Sequence, residues 1–126
     1  MIVSVKKLKL NNGSNVISNS NMEETFVLLD EYLVYGLTFT PNSNYAQIYH
    51  NNNLISVPMS LFEIIDDRVS KYWVIKQNEE GTIFLWPEEF FKEYFHDDLS
   101  EGVSEIVRTF KNVQEKMNLE STEEDK

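Results

Sequence analysis

The stretch YLVYGLTFTPNSNYAQIYHNNNLISVP, residues 32–58, decides the fold that we predict for this chain. In residues 32–39, Leu33 and every second residue after it form one face, an alternation that is typical of a half-buried strand. PNSN (41–44) and the asparagines at 51–53 are turn residues, and asparagine tolerates the left-handed backbone angles of tight hairpins. The stretch therefore predicts three consecutive antiparallel strands, at 32–39, 45–50 and 54–58.

Short apolar runs separated by turn residues continue on both sides of this stretch. FEIID (62–66) and YWVIKQ (72–77) predict two further strands, and NEEG (78–81) predicts a hairpin turn into TIFLW (82–86). An N-terminal strand is predicted over residues 2–10. Strands at this regular spacing indicate an antiparallel meander or a small barrel.

The segment between the N-terminal strand and residue 32 is less clearly patterned. Residues 11–21 are rich in Asn, Ser and Gly and predict a polar loop. Residues 22–31 allow two interpretations. Asn21 and Glu24 could form a capping box that starts a helix, whereas the run TFVLL favours a strand.

Two helices are predicted at the C-terminal end. Pro87 can open the first, because a proline at the first helical position loses no hydrogen bond. The second covers roughly 99–118. The apolar faces predicted for the two helices are Phe90, Phe91, Tyr94 and Phe95, and then Val103, Ile106, Val107, Phe110, Val113 and Met117.

These elements predict an α+β fold, a small twisted antiparallel sheet or partly open SH3-like barrel carrying two C-terminal helices. Nothing in the sequence divides it, so we expect one domain over residues 1–118 and a disordered acidic tail over 119–126. The 126-residue chain has no cysteine, which excludes disulfides and thiolate chemistry and fits a cytoplasmic location. No signal peptide or membrane-spanning run is recognisable.

The charge is strongly negative and concentrated in one part of the chain. The net charge is −10, and residues 79–105 contain nine acidic residues against Lys92 alone. This disfavours nucleic acids and anionic membranes as partners, because both are bound through clusters of Lys and Arg. The acidic residues could form an ordinary solvated face, or a surface that attracts a basic protein. On the second interpretation the contacts are Glu79, Glu80, Glu88, Glu89, Glu93, Asp97 and Asp98, with Trp86 and Tyr94 as aromatic anchors.

The stretch HDDLSEG (96–102) lies inside this acidic part. A metal site is disfavoured, because the Glu93-x-x-His96 spacing occurs only once and no EF-hand pattern is present. A helix junction explains the stretch better: Asp98 and Glu101 would form the capping box of the last helix. His96 would then end the preceding helix, where a charged imidazole is stabilised. Gly102 would relieve crowding between the two helices.

Catalytic signatures are absent from the sequence, and no cofactor is expected. Asp66 and Asp67 are expected to close a strand and pair with Arg68 or Lys71. An enzyme of unrecognised type would have to use Asp66, Asp67, His50 or His96. A small-molecule-binding domain is another alternative, with a pocket in the barrel mouth lined by Tyr32, Tyr35, Tyr45, Tyr49 and Trp73.

Two stretches, LFEIIDDRVSKYWV (61–74) and FLWPEEFFKEYFHDDL (84–99), carry a resemblance to a known group. The chain resembles the small bacterial immunity proteins that accompany polymorphic toxins. The resemblance implies a non-catalytic, cytosolic, acidic protein that neutralises a cognate toxin by covering its basic active site. It transfers no binding residue to this sequence.

Overall fold

The computed structural model describes residues 1–5 and 31–122. Within these residues the chain forms eight strands, two short 3-10 turns and two α-helices. The strands are β1 (Ile2–Val5), β2 (Glu31–Leu33), β3 (Gly36–Phe39), β4 (Asn44–His50), β5 (Asn53–Pro58), β6 (Phe62–Asp66), β7 (Trp73–Gln77) and β8 (Ile83–Pro87). The 3-10 turns are Met59–Leu61 and Glu88–Phe91, and the helices are α1 (Phe95–Ser100) and α2 (Ser104–Ser121).

The strands are arranged in two antiparallel sheets. Their orders are β2-β1-β6 and β5-β4-β3-β8-β7, and the larger sheet is a meander extended by the β7–β8 hairpin. Two asparagines with positive φ, Asn51 and Asn52, make the tight turn between β4 and β5, as the sequence predicts. The predicted α+β class with two C-terminal helices is confirmed, and the sheets do not close into a barrel.

The strand predicted over residues 32–39 is wrong as a single element. It is divided between the two sheets, into β2 and β3. Val34 donates its backbone N–H to Met1 O at 2.9 Å, whereas Tyr35 donates to Gln47 O at 2.8 Å. Consecutive amides therefore bond to different sheets. Both Val34 and Tyr35 are buried, so the chain crosses between the sheets inside the core.

Both faces of the larger sheet are covered at its centre. In β4 the three consecutive residues Ala46, Gln47 and Ile48 are all buried, although their side chains alternate between the faces. Helix α2 lies on the Gln47 face, where the Phe110 ring packs 4.6 Å from the Tyr49 ring. The buried residues of both sheets and both helices form a single core cluster.

The segment after β8 differs from the helix predicted to start at Pro87. Pro87 is the last residue of β8 and is followed by a single 3-10 turn, not by an α-helix. Tyr94 then adopts the left-handed conformation, with φ 64° and ψ 18°, and α1 starts after it. Of the predicted apolar face, Phe90 and Phe95 are buried and Tyr94 is exposed.

HDDLSEG belongs mostly to helix α1 and its C-terminal end. Gly102 donates to Leu99 O and Val103 donates to Asp98 O, and Gly102 has φ 79°. This is a Schellman motif, in which glycine serves because it adopts positive φ without strain. The stretch joins two helices, as predicted, but the roles predicted for Asp98, Glu101 and Gly102 were wrong: α2 starts at Ser104 without a side-chain cap, and nothing lies within 4 Å of a Cβ placed on Gly102.

The last helix continues to Ser121, beyond the boundary predicted at 118. Its final turn forms hydrogen bonds with the loop before β7. Glu120 accepts hydrogen bonds from Ser70 Oγ and from the Lys71 N–H, both at 2.7 Å. Arg68 donates to Ser121 O at 3.0 Å and also pairs with Asp66, as the sequence predicts for that carboxylate. These contacts attach the C-terminal end of α2 to the loop between β6 and β7.

Some sequence predictions concern residues outside this description. The described residues do not include four of these segments: residues 6–10 of the predicted N-terminal strand, the loop at 11–21, residues 22–30 and the tail at 123–126. Among those described, no helix has both the length and the apolar character needed to cross a lipid bilayer.

Candidate functional site: an aromatic cleft beside helix α1

A cleft of about 340 Å³ opens between strand β8 and the segment that leads into helix α1. We call it the aromatic cleft, because rings form most of its wall. Its more accessible lining residues are Phe84, Trp86, Phe91, Lys92, Tyr94, His96 and Asp97. The buried rings of Phe90 and Phe95 lie behind them.

Strand β8 supplies the floor of the aromatic cleft. Phe84 and Trp86 are two residues apart and so point to the same face of the sheet. Trp86 lies against Gly36 on the neighbouring strand, where a Cβ would come within 2.8 Å of Trp86 Cδ1. The missing side chain of Gly36 is what lets the indole approach strand β3 this closely. Trp86 Nε1–H donates to Thr38 Oγ1 at 3.1 Å and fixes the ring.

Aromatic contacts hold the wall of the cleft together around Trp86. Phe91 stacks on the indole with a centroid distance of 5.0 Å and an interplanar angle of 25°. Phe84 meets it edge-on at 4.9 Å, and the His96 ring lies at 5.2 Å. Contacts of this kind add to the stabilisation from burial and restrict ring motion, so the wall of the cleft is preformed.

His96 connects helix α1 to the sheet. Its Nε2 lies 2.7 Å from Oε1 of Gln47, a side chain that is only 2% exposed. An amide oxygen only accepts, so His96 donates through Nε2 and its neutral form keeps Nδ1 as an acceptor. Burial lowers the pKa of His96, and the Asp97 carboxylate opposes this shift in part. The prediction that His96 ends a helix as a charged residue was wrong: His96 lies in the first turn of α1, and burial there disfavours its charged form.

The Gln47 amide is the one incompletely satisfied buried side chain among the described residues. Its Nε2 has no hydrogen-bond partner. Gln47 pairs with Gly36 in the β3–β4 ladder, so its amide lies next to Trp86 and behind His96. The rear of the cleft is therefore polar behind a layer of rings.

Tyr94 stands at the entrance of the aromatic cleft in an unusual backbone conformation. A left-handed residue with a Cβ is strained by about 1 kcal/mol or more. Its side chain is 66% exposed, so core packing does not account for the strain. Such outliers cluster at binding and catalytic sites, which makes Tyr94 the most informative residue of the cleft.

The acidic residues singled out in the sequence are distributed over three places. Glu93 directly precedes Tyr94 and Asp97 follows it by three residues, and both are exposed, whereas Asp98 is half-buried on α1. Glu79 and Glu80 lie in the turn between β7 and β8 and are not among the residues that line the aromatic cleft. The structure therefore groups Trp86, Glu93, Tyr94 and Asp97, and separates Glu79 and Glu80 from them.

Glu88 and Glu89 form the third place and have basic partners from other parts of the chain. Lys76 Nζ lies 3.4 Å from Glu88 Oε2, and Lys116 Nζ lies 3.2 Å from Glu89 Oε2. Lys76 Nζ also lies 4.4 Å from the centroid of the Phe91 ring. A second cavity of about 340 Å³ adjoins these groups and shares Phe91 with the aromatic cleft.

The other candidate sites from the sequence are not assembled. Tyr35 and Trp73 are buried, with Trp73 Nε1–H donating to Tyr35 O at 2.8 Å, so neither lines an open pocket. The Arg68 guanidinium holds the pKa of Asp66 well below its usual range through hydrogen bonds, which suits an ion pair better than an acid catalyst. No group of three or more His, Asp or Glu side chains in the described part of the chain is arranged to hold a metal ion.

Sequence reasoning missed Gly36, Gln47, Phe84 and Phe91 as parts of this site. The alternation of Phe84 and Trp86 along β8 is a signal that could have placed both rings on one face. A scan of the sequence against protein-family models gave no match, and searches of curated proteins and of solved structures gave none either.

Proposed function

We propose that this protein is a non-catalytic binding protein of the immunity or antitoxin type, acting in the cytoplasm. It neutralises a basic protein, its cognate toxin, by covering that protein's active site. The surface used is the entrance of the aromatic cleft with the carboxylates beside it.

One observation carries the proposal: an exposed aromatic residue, Tyr94, is held in a strained conformation, and the exposed residues Glu93 and Asp97 lie close to it in the sequence. Exposed tyrosines and tryptophans are the commonest anchors of protein interfaces. Strain of this kind persists only where the surrounding structure enforces it, here by the stacked Phe90 and Phe95 on either side of the turn. The arrangement suits a preformed anchor for a partner.

The charge distribution supports a basic partner. Glu88 and Glu89 are each paired with a lysine, whereas Glu93 and Asp97 have no ion pair among the described residues. Unpaired carboxylates beside an aromatic anchor attract a basic surface at long range and speed its association. The net charge of −10 adds to this attraction over the whole molecule.

The experiment that tests the proposal compares two double charge reversals. The protein, tagged at its C-terminus, is incubated with lysate of its native host at low and at moderate salt, and the bound proteins are identified by mass spectrometry. We expect a stoichiometric basic protein whose binding is lost in Glu93→Lys/Asp97→Lys and kept in Glu79→Lys/Glu80→Lys. The control changes the net charge equally but lies in the turn between β7 and β8, at residues that do not line the cleft.

The captured partner must also be harmful when it acts alone. Expression of the partner should arrest growth, and co-expression of the wild-type protein should restore it. A partner that binds both double variants equally would contradict the proposed surface. A partner that does not affect growth would contradict the immunity function.

A second candidate is a small-molecule-binding domain that uses the same cleft. Its volume of about 340 Å³ lies at the lower end of the range for ligand pockets. Thermal stabilisation by a compound from a metabolite panel, lost in Trp86→Leu, would favour this candidate over a protein partner.

A further inference from the structure

The two cavities beside Phe91 are related in their chemistry. On one side of the Phe91 ring, Lys76 Nζ lies 4.4 Å from the ring centroid and 3.4 Å from Glu88 Oε2. Phe91 also stacks on Trp86, with a centroid distance of 5.0 Å. Because this stacking covers one face of the Phe91 ring, the Lys76 cation lies over the other face. The chain thus already holds one cation between an aromatic face and a carboxylate.

The aromatic cleft offers the same combination of aromatic rings and a carboxylate. It offers the rings of Phe84, Trp86 and Tyr94, and it has the Asp97 carboxylate in its lining. No ion pair with Asp97 is formed by a described residue. A cation over an aromatic face is attracted by the electrons of the ring, and more strongly where water is partly excluded.

We infer that the aromatic cleft receives one arginine side chain of the protein partner, with the guanidinium against the Tyr94 ring and paired with Asp97. This inference rests on the proposed function, because it names the chemistry by which the same surface binds. Arginine fits better than lysine, since its planar guanidinium stacks on rings and can form two parallel hydrogen bonds to a carboxylate. The cleft is large enough for one such side chain.

The charges at the cleft favour a cation over an anion. Burial lowers the pKa of His96 and so disfavours a positive charge on its ring. Among the described residues that line the cleft, Lys92 carries a positive charge and Asp97 a negative one, and Glu93, next to Lys92 in the sequence, adds a second exposed carboxylate. Lys92 therefore weakens binding of an arginine, which provides a variant expected to bind more tightly than the wild type.

The test uses an isolated arginine derivative and the two indole signals of the protein. N-acetyl-arginine-amide is titrated into the 15N-labelled full chain, and its neutral analogue N-acetyl-citrulline-amide serves as the matched probe. Trp86 Nε1–H, bonded to Thr38 at the cleft, should shift saturably with arginine. Trp73 Nε1–H, bonded to Tyr35 O in the core, should stay unchanged and reports non-specific effects.

Variants at exposed positions give the expected direction of each change. Asp97→Asn and Tyr94→Gly should each weaken arginine binding by about fivefold, as expected for loss of one carboxylate or one ring. Lys92→Gln should strengthen it by about twofold. Glu79→Gln, in the turn between β7 and β8 and outside the lining of the cleft, should leave it unchanged.

Three results would overturn the inference. They are equal shifts with arginine and citrulline, no shift of the Trp86 indole, and tighter binding of an aromatic carboxylate such as phenylacetate than of arginine. The outcome is separable from that of the lysate experiment. A captured partner with no arginine response refutes the inference alone, whereas an arginine response with no harmful partner refutes the proposed immunity function alone.

Discussion

Tyr94 permits a prediction that separates the backbone strain at this residue from the contribution of its side chain to binding. Its φ of 64° and ψ of 18° lie in the left-handed region, which costs a residue with a Cβ about 1–2 kcal/mol and glycine almost nothing. The variants Tyr94→Gly and Tyr94→Ala both remove the ring, so they lose the same side-chain contacts. Their difference therefore reports the backbone alone.

The expected difference follows from two opposing terms. Glycine relieves the steric cost of about 1–2 kcal/mol but makes the unfolded chain more flexible than alanine does, by about 0.5–1 kcal/mol. Tyr94→Gly should therefore be more stable than Tyr94→Ala by about 1 kcal/mol. In a domain of this size, such a difference corresponds to a melting temperature higher by about 4 °C.

Chemical denaturation with urea, followed by circular dichroism, measures this difference directly. Gly102 provides a reference in the same molecule, since it has φ 79° and nothing lies within 4 Å of a Cβ there. Gly102→Ala should lose about the same 1 kcal/mol. If Tyr94→Ala proved as stable as Tyr94→Gly while Gly102→Ala was destabilised, the strain assigned to Tyr94 would be refuted. The Tyr94→Gly variant should fold at least as well as Tyr94→Ala and still bind the partner poorly.

Three further predictions follow from the site and its supports. Gly36→Ala should lower the free energy of unfolding by about 1–3 kcal/mol, because the added Cβ meets Trp86 Cδ1 at 2.8 Å; urea unfolding gives the loss, and a changed Trp86 indole signal would confirm its cause. Burial lowers the pKa of His96, so the folded state binds its proton less readily than the unfolded chain does. The unfolding free energy should therefore fall as pH drops below the unfolded value of about 6.5, and His96→Gln should remove that part of the slope between pH 7 and 5. The pKa of Asp66 is also lowered, by Arg68, so the stability it adds is present above about pH 3.9 and is lost in more acidic solution. Asp66→Asn should cost no more than about 1 kcal/mol at pH 7, speed hydrogen exchange in the last turn of α2, and match the wild type in strong acid.

The strands were largely predictable because period-two alternation and turn residues agree in this chain. FEIID at 62–66 matches β6, and the predictions at 45–50, 54–58, 72–77 and 82–86 differ from the observed strands by one residue or less at each end. The division of 32–39 could not be read from the same pattern. It depends on Met1 and Gln47 accepting from neighbouring amides, a contact between distant parts of the chain.

The helix predicted from Pro87 failed for a similar reason. The spacing of Phe90, Phe91, Tyr94 and Phe95 suits one face of a helix, but it equally suits a turn that stacks Phe90 on Phe95 with centroids 5.0 Å apart. Local spacing does not distinguish these two packings. Tertiary contacts with α2 and the sheet decide between them.

The candidate site was predictable in its residue types and not in its geometry. Trp86 and Tyr94 were expected as interface anchors, and the structure places both at one cleft. Counting charges along the sequence could not show that Lys76 and Lys116, from outside the acidic segment, pair with Glu88 and Glu89. Only the three-dimensional pairing separates the carboxylates already compensated from those open to a partner.

The alternation of the chain between the two sheets has a consequence for how the protein can be cut or assembled. The central strand β1 pairs with β6 from the middle of the sequence, and the chain passes from one sheet to the other before β3, β6 and β7. Neither sheet is encoded by a contiguous piece, so a truncation or a split-protein design removes strands from both. We therefore expect no autonomously folding fragment, and a folding rate limited by long-range loop closure.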